Sequence, residues 1–117
     1  MKVLKFGGSS VGSSDRIKAV TRIIAAHPLP LVVVVSAFQG VTDSLKNISD
    51  IAAGHDPVYK SMAGDLKERH LIVARQLLAG ETLTGILAVI DEIFSELSQT
   101  LDGIYLLREL SKYSLDK

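Results

Sequence analysis

The sequence contains no cysteine and no tryptophan, and only 5% of its 117 residues are aromatic. Without cysteine the chain can form neither a disulfide nor a thiolate metal site, which is compatible with the reducing cytoplasm. Net charge is also absent, because 13 lysines and arginines balance 13 aspartates and glutamates. This balance gives no electrostatic reason to expect nucleic acid or an anionic membrane as a partner. We therefore expect a cytoplasmic protein that binds neither.

The chain also lacks an apolar segment long enough to span a bilayer, since the run from Leu31 to Val35 has only five residues. No secretory signal is evident, because the N-terminus is a strand-like run followed at once by glycines. Apolar residues nevertheless make up 47% of the sequence. This composition is typical of an ordinary soluble α/β protein.

The first third of the chain predicts a strand, a helix and a second strand. Lys2 to Phe6 is the first strand, and a helix begins near Asp15 with Ser13 or Ser14 as its N-cap. His27-Pro28 ends this helix, because the residue before proline is pushed out of the α region. The unbroken β-branched run from Leu31 to Val35 is typical of a strand buried on both faces of a parallel sheet. These elements form a βαβ unit, and the expected inner face of its helix comprises Ile17, Val20, Ile23 and Ile24.

The remaining sequence predicts three helices. Thr42 is the expected N-cap of the first helix, and Gly54 ends that helix. Asp56-Pro57 starts the second helix, which runs to about Ala79, where Gly80 breaks it. The third runs from about Leu83 to Tyr113. Its apolar residues step by four and three alternately, which is a heptad seam. Further apolar residues widen this seam to a globular face, so we favour a helix packed on its neighbours over a coiled coil. The predicted inner residues are Leu45, Ile48, Ile51 and Ala52, then Met62, Leu66, Val73 and Leu77, then the seam Leu83, Leu87, Ile90, Phe94, Leu97, Leu101 and Ile104, widened by Ile86, Ile93 and Leu107.

This organisation is uneven, with two strands followed by a long helical segment. Two parallel strands make a poor sheet, and a buried strand needs a neighbour on each side. We therefore expect the chain to be the front portion of a larger α/β protein. Residues 1–40 would form the βαβ edge, and residues 41–117 the helical segment.

Chemistry is concentrated in two loops that each follow a strand. In the first, Lys5 precedes Gly7, Gly8 and Ser9, and such residues at a strand-to-helix turn suit a phosphate. The spacing matches neither the P-loop, whose lysine would stand at Ser13, nor the dinucleotide fingerprint. A tight turn with a solvated lysine is the competing interpretation. The second loop, from Ser36 to Thr42, leaves the adjacent strand, and Thr42 can be a simple N-cap or a ligand contact.

The two loops together resemble the aspartokinases, within the amino acid kinase superfamily. Lys5-Phe6-Gly7-Gly8-Ser9-Ser10-Val11 matches the family pattern Lys-Phe-Gly-Gly-(Thr or Ser)-Ser-Val, and Ser36 to Thr42 matches Ser-Ala-x-x-Gly-(Ile or Val)-Thr. The resemblance implies an α/β fold of three αβα layers with a mostly parallel sheet, of which this chain would be the N-terminal part. It covers about the first quarter of such an enzyme.

The resemblance also implies an activity, the ATP-dependent phosphorylation of the side-chain carboxylate of L-aspartate, which begins lysine, threonine and methionine synthesis. Lys5 would neutralise charge on the transferred phosphoryl group as the catalytic residue. Gly7, Gly8 and Ser9 would hold the phosphates of ATP, with Mg²⁺ bridging them. Ser36 and Thr42 would contact L-aspartate. No residue of the chain is expected to bind the metal directly, and the enzyme would be a homo-oligomer.

Other motifs of the family do not occur in this sequence. The Gly-Glu motif, the Gly-Arg-Gly-Gly-Ser-Asp motif with its catalytic aspartate, the base pocket and the regulatory ACT domains are missing. We therefore expect the 117 residues alone to be inactive. A bifunctional aspartokinase–homoserine dehydrogenase is an equally compatible parent, and a helical self-association module is the alternative of a different class.

Overall fold

The computed structural model describes residues 1–115, with side-chain surroundings for residues 1–108 and 110, so the end of the predicted helical segment 41–117 lies outside the described residues. Its elements in chain order are β1 (Lys2–Phe6), α1 (Ser14–Ala25), β2 (Leu31–Val35), α2 (Val41–Ala53), α3 (Tyr59–Leu77) and α4 (Gly80–Leu115). The chain divides into a first compact unit, residues 1–42, and a second that begins at Asp43. The predicted α/β class is confirmed.

The sheet of the first unit consists of β1 and β2, which are parallel and in register from Lys2 opposite Leu31 to Phe6 opposite Val35. The prediction that β2 is buried on both faces is wrong for this chain. Its four valines, Val32 to Val35, are between 36% and 59% exposed. A parallel strand becomes buried only when a strand lies on each side and layers cover both faces, and residues 1–42 provide one strand partner and one helix.

Helix α1 begins as its sequence predicts. The side chain of Ser13 accepts a hydrogen bond from the backbone N–H of Arg16, and Asp15 lies in the first turn, where it complements the helix dipole. Val20 is buried, and Ile17 and Ile24 are half-buried on the same face. Ile23 is 46% exposed, so its predicted place on the inner face is wrong. It lies one residue before Ile24, about 100° around the helix and outside the narrow inner stripe.

Helix α2 ends differently from the sequence-based expectation. Its last residue is Ala53, and the left-handed residue that follows is His55, with φ of +63°, rather than Gly54. The N–H of Asp56 donates to the carbonyl of Ile51 and that of His55 to the carbonyl of Ala52, which is the Schellman arrangement. His55 stacks on Tyr105 at 4.1 Å between ring centroids. This stacking offsets part of the strain of a left-handed histidine.

Helices α3 and α4 pack against each other and build the core of the second unit. Leu101 is 1% exposed and Tyr59 is 2% exposed. The predicted seam of α4 is confirmed, because all seven of its residues are buried or half-buried. The predicted inner residues of α2 and α3 are likewise buried or half-buried, and Tyr59, Ala63 and Ala74 join them on α3.

The three residues expected to widen the seam are exposed instead. Ile86, Ile93 and Leu107 are 39%, 56% and 68% exposed, so that expectation is wrong. One packed helix, α3, covers only a narrow stripe of α4, and the flanking positions remain in solvent.

The ends of α3 and α4 also move from their predicted positions. Asp56 accepts a hydrogen bond from the N–H of Val58 in a short turn, so α3 starts at Tyr59 instead of Pro57. Helix α4 starts at Gly80, whose φ of +62° makes the turn that separates it from α3. Among residues 1–115, no helix combines the length and apolar character needed to cross a membrane.

Candidate functional site

The two glycine-containing loops leave neighbouring strands at the same edge of the sheet. Because Phe6 lies opposite Val35 in the register, Gly7 and Ser36 each follow the last residue of a strand side by side. The N–H of Ser36 donates to the carbonyl of Phe6 over 3.0 Å, which extends the ladder into the loops. The predicted juxtaposition of the loops at the carboxyl edge, where ligands bind in open α/β sheets, is therefore present.

Gly8 holds the loops close together. A Cβ at Gly8 would lie 3.3 Å from the carbonyl oxygen of Ala37 and 3.4 Å from the Cα of Gln39. At Gly7 an added Cβ would meet nothing within 4 Å. Gly8 therefore allows one loop to approach the backbone of the other, whereas no neighbouring atom would oppose a Cβ at Gly7.

The first loop is ordered through its carbonyl groups. The N–H of Ser10 donates to the carbonyl of Gly7 over 3.0 Å, and Nη1 of Arg16 donates to the carbonyl of Ser9 over 3.0 Å. These bonds do not occupy the N–H groups of Gly7 and Ser9. The loop is thus held by hydrogen bonds to its carbonyl groups, and these bonds leave the N–H groups of Gly7 and Ser9 uninvolved.

The polar side chains of the site are exposed to solvent. Lys5 lies near the carboxyl end of β1, alternates with the half-buried Leu4 and Phe6, and takes part in no ion pair of the described residues. Ser9 and Ser36 are also exposed. In the described part of the chain, no hydrogen bond joins these side chains to one another. This edge of the sheet therefore exposes one ammonium group and two hydroxyl groups to solvent.

Thr42 does not cap α2. The helix begins at Val41, so Thr42 is its second residue, and its side chain is exposed. Gly40, at φ of +81°, and the hydrogen bond from the Val41 N–H to the Phe38 carbonyl start the helix two residues earlier than an N-cap at Thr42 predicts. The N-cap interpretation of Thr42 is wrong, and its hydroxyl is not committed to a cap.

Two residues of this edge were not expected from the sequence. Arg16 holds the first loop by donating a hydrogen bond to the carbonyl of Ser9. The side chain of Gln39 lies close to Gly12, since a Cβ added at Gly12 would be 3.2 Å from Oε1 of Gln39. Both form contacts that depend on the loop conformation. Their only signal in the sequence is their position, one in the first turn of a helix and the other within the second loop.

The residues of the edge suit a phosphate rather than a protein-bound metal. Ammonium and backbone N–H groups can only donate hydrogen bonds, whereas a Mg²⁺ held by the protein commonly has one or two carboxylate ligands. Among the described residues, no group of three or more histidine, aspartate or glutamate side chains could hold a metal ion. The present donor set can stabilise negative charge on phosphate oxygens.

Comparison with known proteins agrees with this geometry. The sequence profile described as the amino acid kinase family matches residues 1–101, which include both loops. The chain belongs to the amino acid kinase family. The match covers β1 through most of α4, so the helical segment is part of the family resemblance as well as the βαβ unit.

Several curated relatives are aspartokinases by name. The chain is 36% identical over 105 residues to the chloroplastic bifunctional aspartokinase/homoserine dehydrogenase 1 of Zea mays, and this match covers 89% of the chain and 11% of that protein. It is 40% identical over 75 residues to the aspartokinase of Chlamydia muridarum, covering 64% of the chain and 16% of that protein. It is 33% identical over 117 residues to the chloroplastic aspartokinase 1 of Arabidopsis thaliana, and this match covers 97% of the chain and 20% of that protein.

These relatives confirm the predicted resemblance to aspartokinases. They include monofunctional and bifunctional enzymes by name, so the comparison does not separate the two classes of parent. The chain spans between 11% and 20% of the length of these three relatives.

Proposed function

We propose that this chain is the part of an aspartokinase that holds the phosphates of ATP and the reacting end of L-aspartate. The reaction is the ATP-dependent phosphorylation of the side-chain carboxylate, which gives 4-phospho-L-aspartate and ADP. The observation that supports it most is the pair of loops at one parallel-sheet edge, joined by the Ser36–Phe6 hydrogen bond and the Gly8 contact. The names of the relatives support the choice of aspartate as substrate.

In this proposal the residues stabilise charge and position the reactants. A carboxylate oxygen of aspartate attacks the γ-phosphorus, the bond to the bridging oxygen breaks, and ADP leaves with the electron pair. Lys5 neutralises charge on the transferred group, while the N–H groups of Gly7 and Gly8 and the hydroxyl of Ser9 hold the phosphates. Ser36 and Thr42 bind at the aspartate end. Such transfer depends mainly on positioning and electrostatic stabilisation.

ATP would bring Mg²⁺ with it, since this ion is commonly held by phosphate oxygens, water and one or two carboxylates. The donors present at the edge do not supply those carboxylates, so we assign no residue of this chain as a metal ligand. We also propose that further parts of a catalytic domain cover the exposed valines of β2 and complete the base pocket. Residues 1–40 would then form its nucleotide edge, and residues 41–117 its helical segment.

A second candidate, self-association, is favoured by a specific observation on α4. Ile86, Val89 and Ile93 lie on one side of this helix and are 39%, 49% and 56% exposed. Exposed apolar patches commonly mark interaction sites, so we propose a homo-oligomer. We also propose a cytoplasmic location, with which the lack of cysteine is compatible. Light scattering of dilute protein tests the oligomer, and a monomer at every concentration would contradict it.

Trapping of the acyl phosphate with hydroxylamine tests the proposed reaction. In a chimera, the chain replaces the matching segment of Chlamydia muridarum aspartokinase, which supplies the remaining catalytic domain. We expect aspartate hydroxamate to form only when ATP, Mg²⁺ and L-aspartate are all present, and the 117 residues alone to form none. A folded chimera that forms no hydroxamate, or a lone chain that turns over at the chimera's rate, would contradict the proposal.

A further inference from the structure

A cavity of about 310 Å³ lies between α2 and α3, within the second compact unit. Its volume falls at the lower end of the range for small-molecule sites, about 300–1,000 Å³. None of its lining residues belongs to the loops assigned above to phosphate and aspartate. The cavity is therefore a separate place on the molecule, and its ligand has to be inferred from its own walls.

One helical face on each side forms the walls. Helix α2 contributes Ser44, Asn47 and Ile48, whose spacing of three and four residues places them on one face. Helix α3 contributes Met62, Asp65, Leu66 and Arg69, again at spacings of three and four. Each face thus carries apolar residues beside polar ones.

The floor of the cavity is apolar. Ile48 is 2% exposed and Leu66 is 7% exposed, and the half-buried Met62 continues the same surface. An aliphatic group placed there would lose its contact with water, which is favourable in proportion to the apolar area covered. A ligand that fills the cavity therefore needs an aliphatic part.

The rim carries one positive and one negative side chain. Arg69 is half-buried, and the exposed Asp65 lies four residues before it on the same helix, while Asn47 is exposed on α2. A guanidinium has five N–H donors in a fork that matches a carboxylate, so Arg69 can bind one while it keeps its other contacts. The carboxylate of Asp65 accepts hydrogen bonds from an ammonium group.

Of these two rim charges, Asp65 would repel a ligand that carries only a carboxylate, and Arg69 would repel one that carries only an ammonium group. A zwitterion matches both. We propose that the cavity between α2 and α3 binds an α-amino acid with an aliphatic side chain. Its carboxylate lies at Arg69, its ammonium group at Asp65, and its side chain on the Ile48–Leu66 floor.

The test is an NMR titration of the ¹⁵N-labelled 117-residue chain with L-leucine. We expect saturable amide shifts confined to residues 44–48 and 62–69, the segments that line the cavity. Three probes each remove one feature of leucine: 4-methylpentanoate lacks the ammonium group, 3-methylbutylamine lacks the carboxylate, and glycine lacks the aliphatic chain. All three should bind at least about tenfold more weakly, as expected for the loss of a charged hydrogen bond or of a buried aliphatic group.

Two variants and a control connect binding to the rim. Arg69→Met and Asp65→Asn should each weaken leucine binding by about tenfold or more. Arg75→Met is the matched control, because Arg75 pairs with Glu68 at 3.6 Å on the same helix and does not line the cavity. It should leave the affinity unchanged.

Asp65→Asn changes an exposed residue, so it tests the rim even if Arg69→Met fails to fold. Absence of leucine shifts, equal binding by 4-methylpentanoate or glycine, or an equal effect of Arg75→Met would each overturn the proposal. None of these readouts depends on phosphoryl transfer, so they are independent of the reaction proposed above.

Discussion

The hydrogen bond between Tyr59 and Asp102 joins the first turn of α3 to α4 across 43 residues of sequence. The hydroxyl of Tyr59 donates to Oδ1 of Asp102 over 2.5 Å, and Tyr59 is 2% exposed. Its ring lies 5.3 Å from that of Tyr105. Tyr59→Phe removes this donor and keeps the ring, so it measures the hydrogen bond alone.

The expected loss follows from the surroundings of the acceptor. A hydrogen bond to a charged group is worth about 1.5–3 kcal/mol, but Asp102 is half-buried, so water can replace part of the bond. We expect Tyr59→Phe to lower the free energy of unfolding by about 1–2 kcal/mol. For a domain of this size that corresponds to a fall in Tm of roughly 4–8 °C. Tyr105→Phe is the matched control, and we expect a change within about 0.5 kcal/mol.

The same bond predicts a pH dependence. Burial, followed by the hydrogen bond to Asp102, raises the pKa of Tyr59 from 10.0 to about 12. Because the pKa is higher in the folded state, the contribution of the neutral tyrosine is complete below pH 10 and is lost as pH rises toward 12. The stability difference between the parent chain and Tyr59→Phe should therefore shrink over this interval.

Urea unfolding followed by circular dichroism, at pH 8 and at steps between pH 10 and pH 12, measures both effects. Equal losses in Tyr59→Phe and Tyr105→Phe would refute the assigned hydrogen bond. A stability difference that stays constant through this pH range would refute the pKa shift and its cause.

The remaining predictions concern the core and the loops. Leu101→Ala, at a 1% exposed position, should lower the free energy of unfolding by about 2–5 kcal/mol in denaturant unfolding, whereas Leu107→Ala, at a 68% exposed position, should change it by less than about 0.5 kcal/mol. Similar losses at the two positions would show that the assigned core face of α4 is wrong. Gly8→Ala should weaken ATP binding by the chimera, because its Cβ would push against the Ala37 carbonyl at 3.3 Å. Gly7→Ala should change ATP affinity less, because its Cβ would meet nothing within 4 Å. Calorimetry measures both affinities. The reverse order would show that Gly7, rather than Gly8, sets the spacing of the loops.

The elements could be predicted where the local pattern decides the structure. Ser13 followed by Asp15 marked the start of α1, and the alternating spacing of four and three from Leu83 to Ile104 identified the buried face of α4. The parallel pairing of β1 with β2 followed from the short connection through a single helix. Each of these follows from a pattern within one element or from a connection through a single helix.

Errors arose where distant parts of the chain determine the outcome. The β-branched run Val32–Val35 has the composition of a buried strand, but burial requires layers that residues 1–42 do not contain. The flanking residue Ile93 is apolar and at helical spacing, yet it is 56% exposed, so the packing of α3 on α4 does not bury it. Composition fixes which residues can be buried, and the number of neighbouring elements determines which of them are.

The candidate site shows the same division. Lys5, Gly7 and Gly8 could be identified from the first loop, and the common sheet edge from the order of the strands. Arg16 and Gln39 could not, because their contacts with Ser9 and Gly12 depend on how the loops fold. The assignment of Lys5, Gly7 and Gly8 to a ligand stays a prediction, and the sequence did not indicate which residues hold the loops in place.

The most direct test of the central claim compares Lys5→Ala with Lys2→Ala in the chimeric enzyme. Both lysines lie on β1, but Lys5 is near the carboxyl edge that carries the loops and Lys2 begins the strand at the opposite end. If Lys5 stabilises the transferred phosphoryl group, Lys5→Ala should reduce kcat by about 10²–10³-fold, with little change in the KM for L-aspartate and no effect of Lys2→Ala. Equal losses in kcat and aspartate binding, or equal effects of the two substitutions, would contradict the assignment of this edge as a phosphoryl-transfer site.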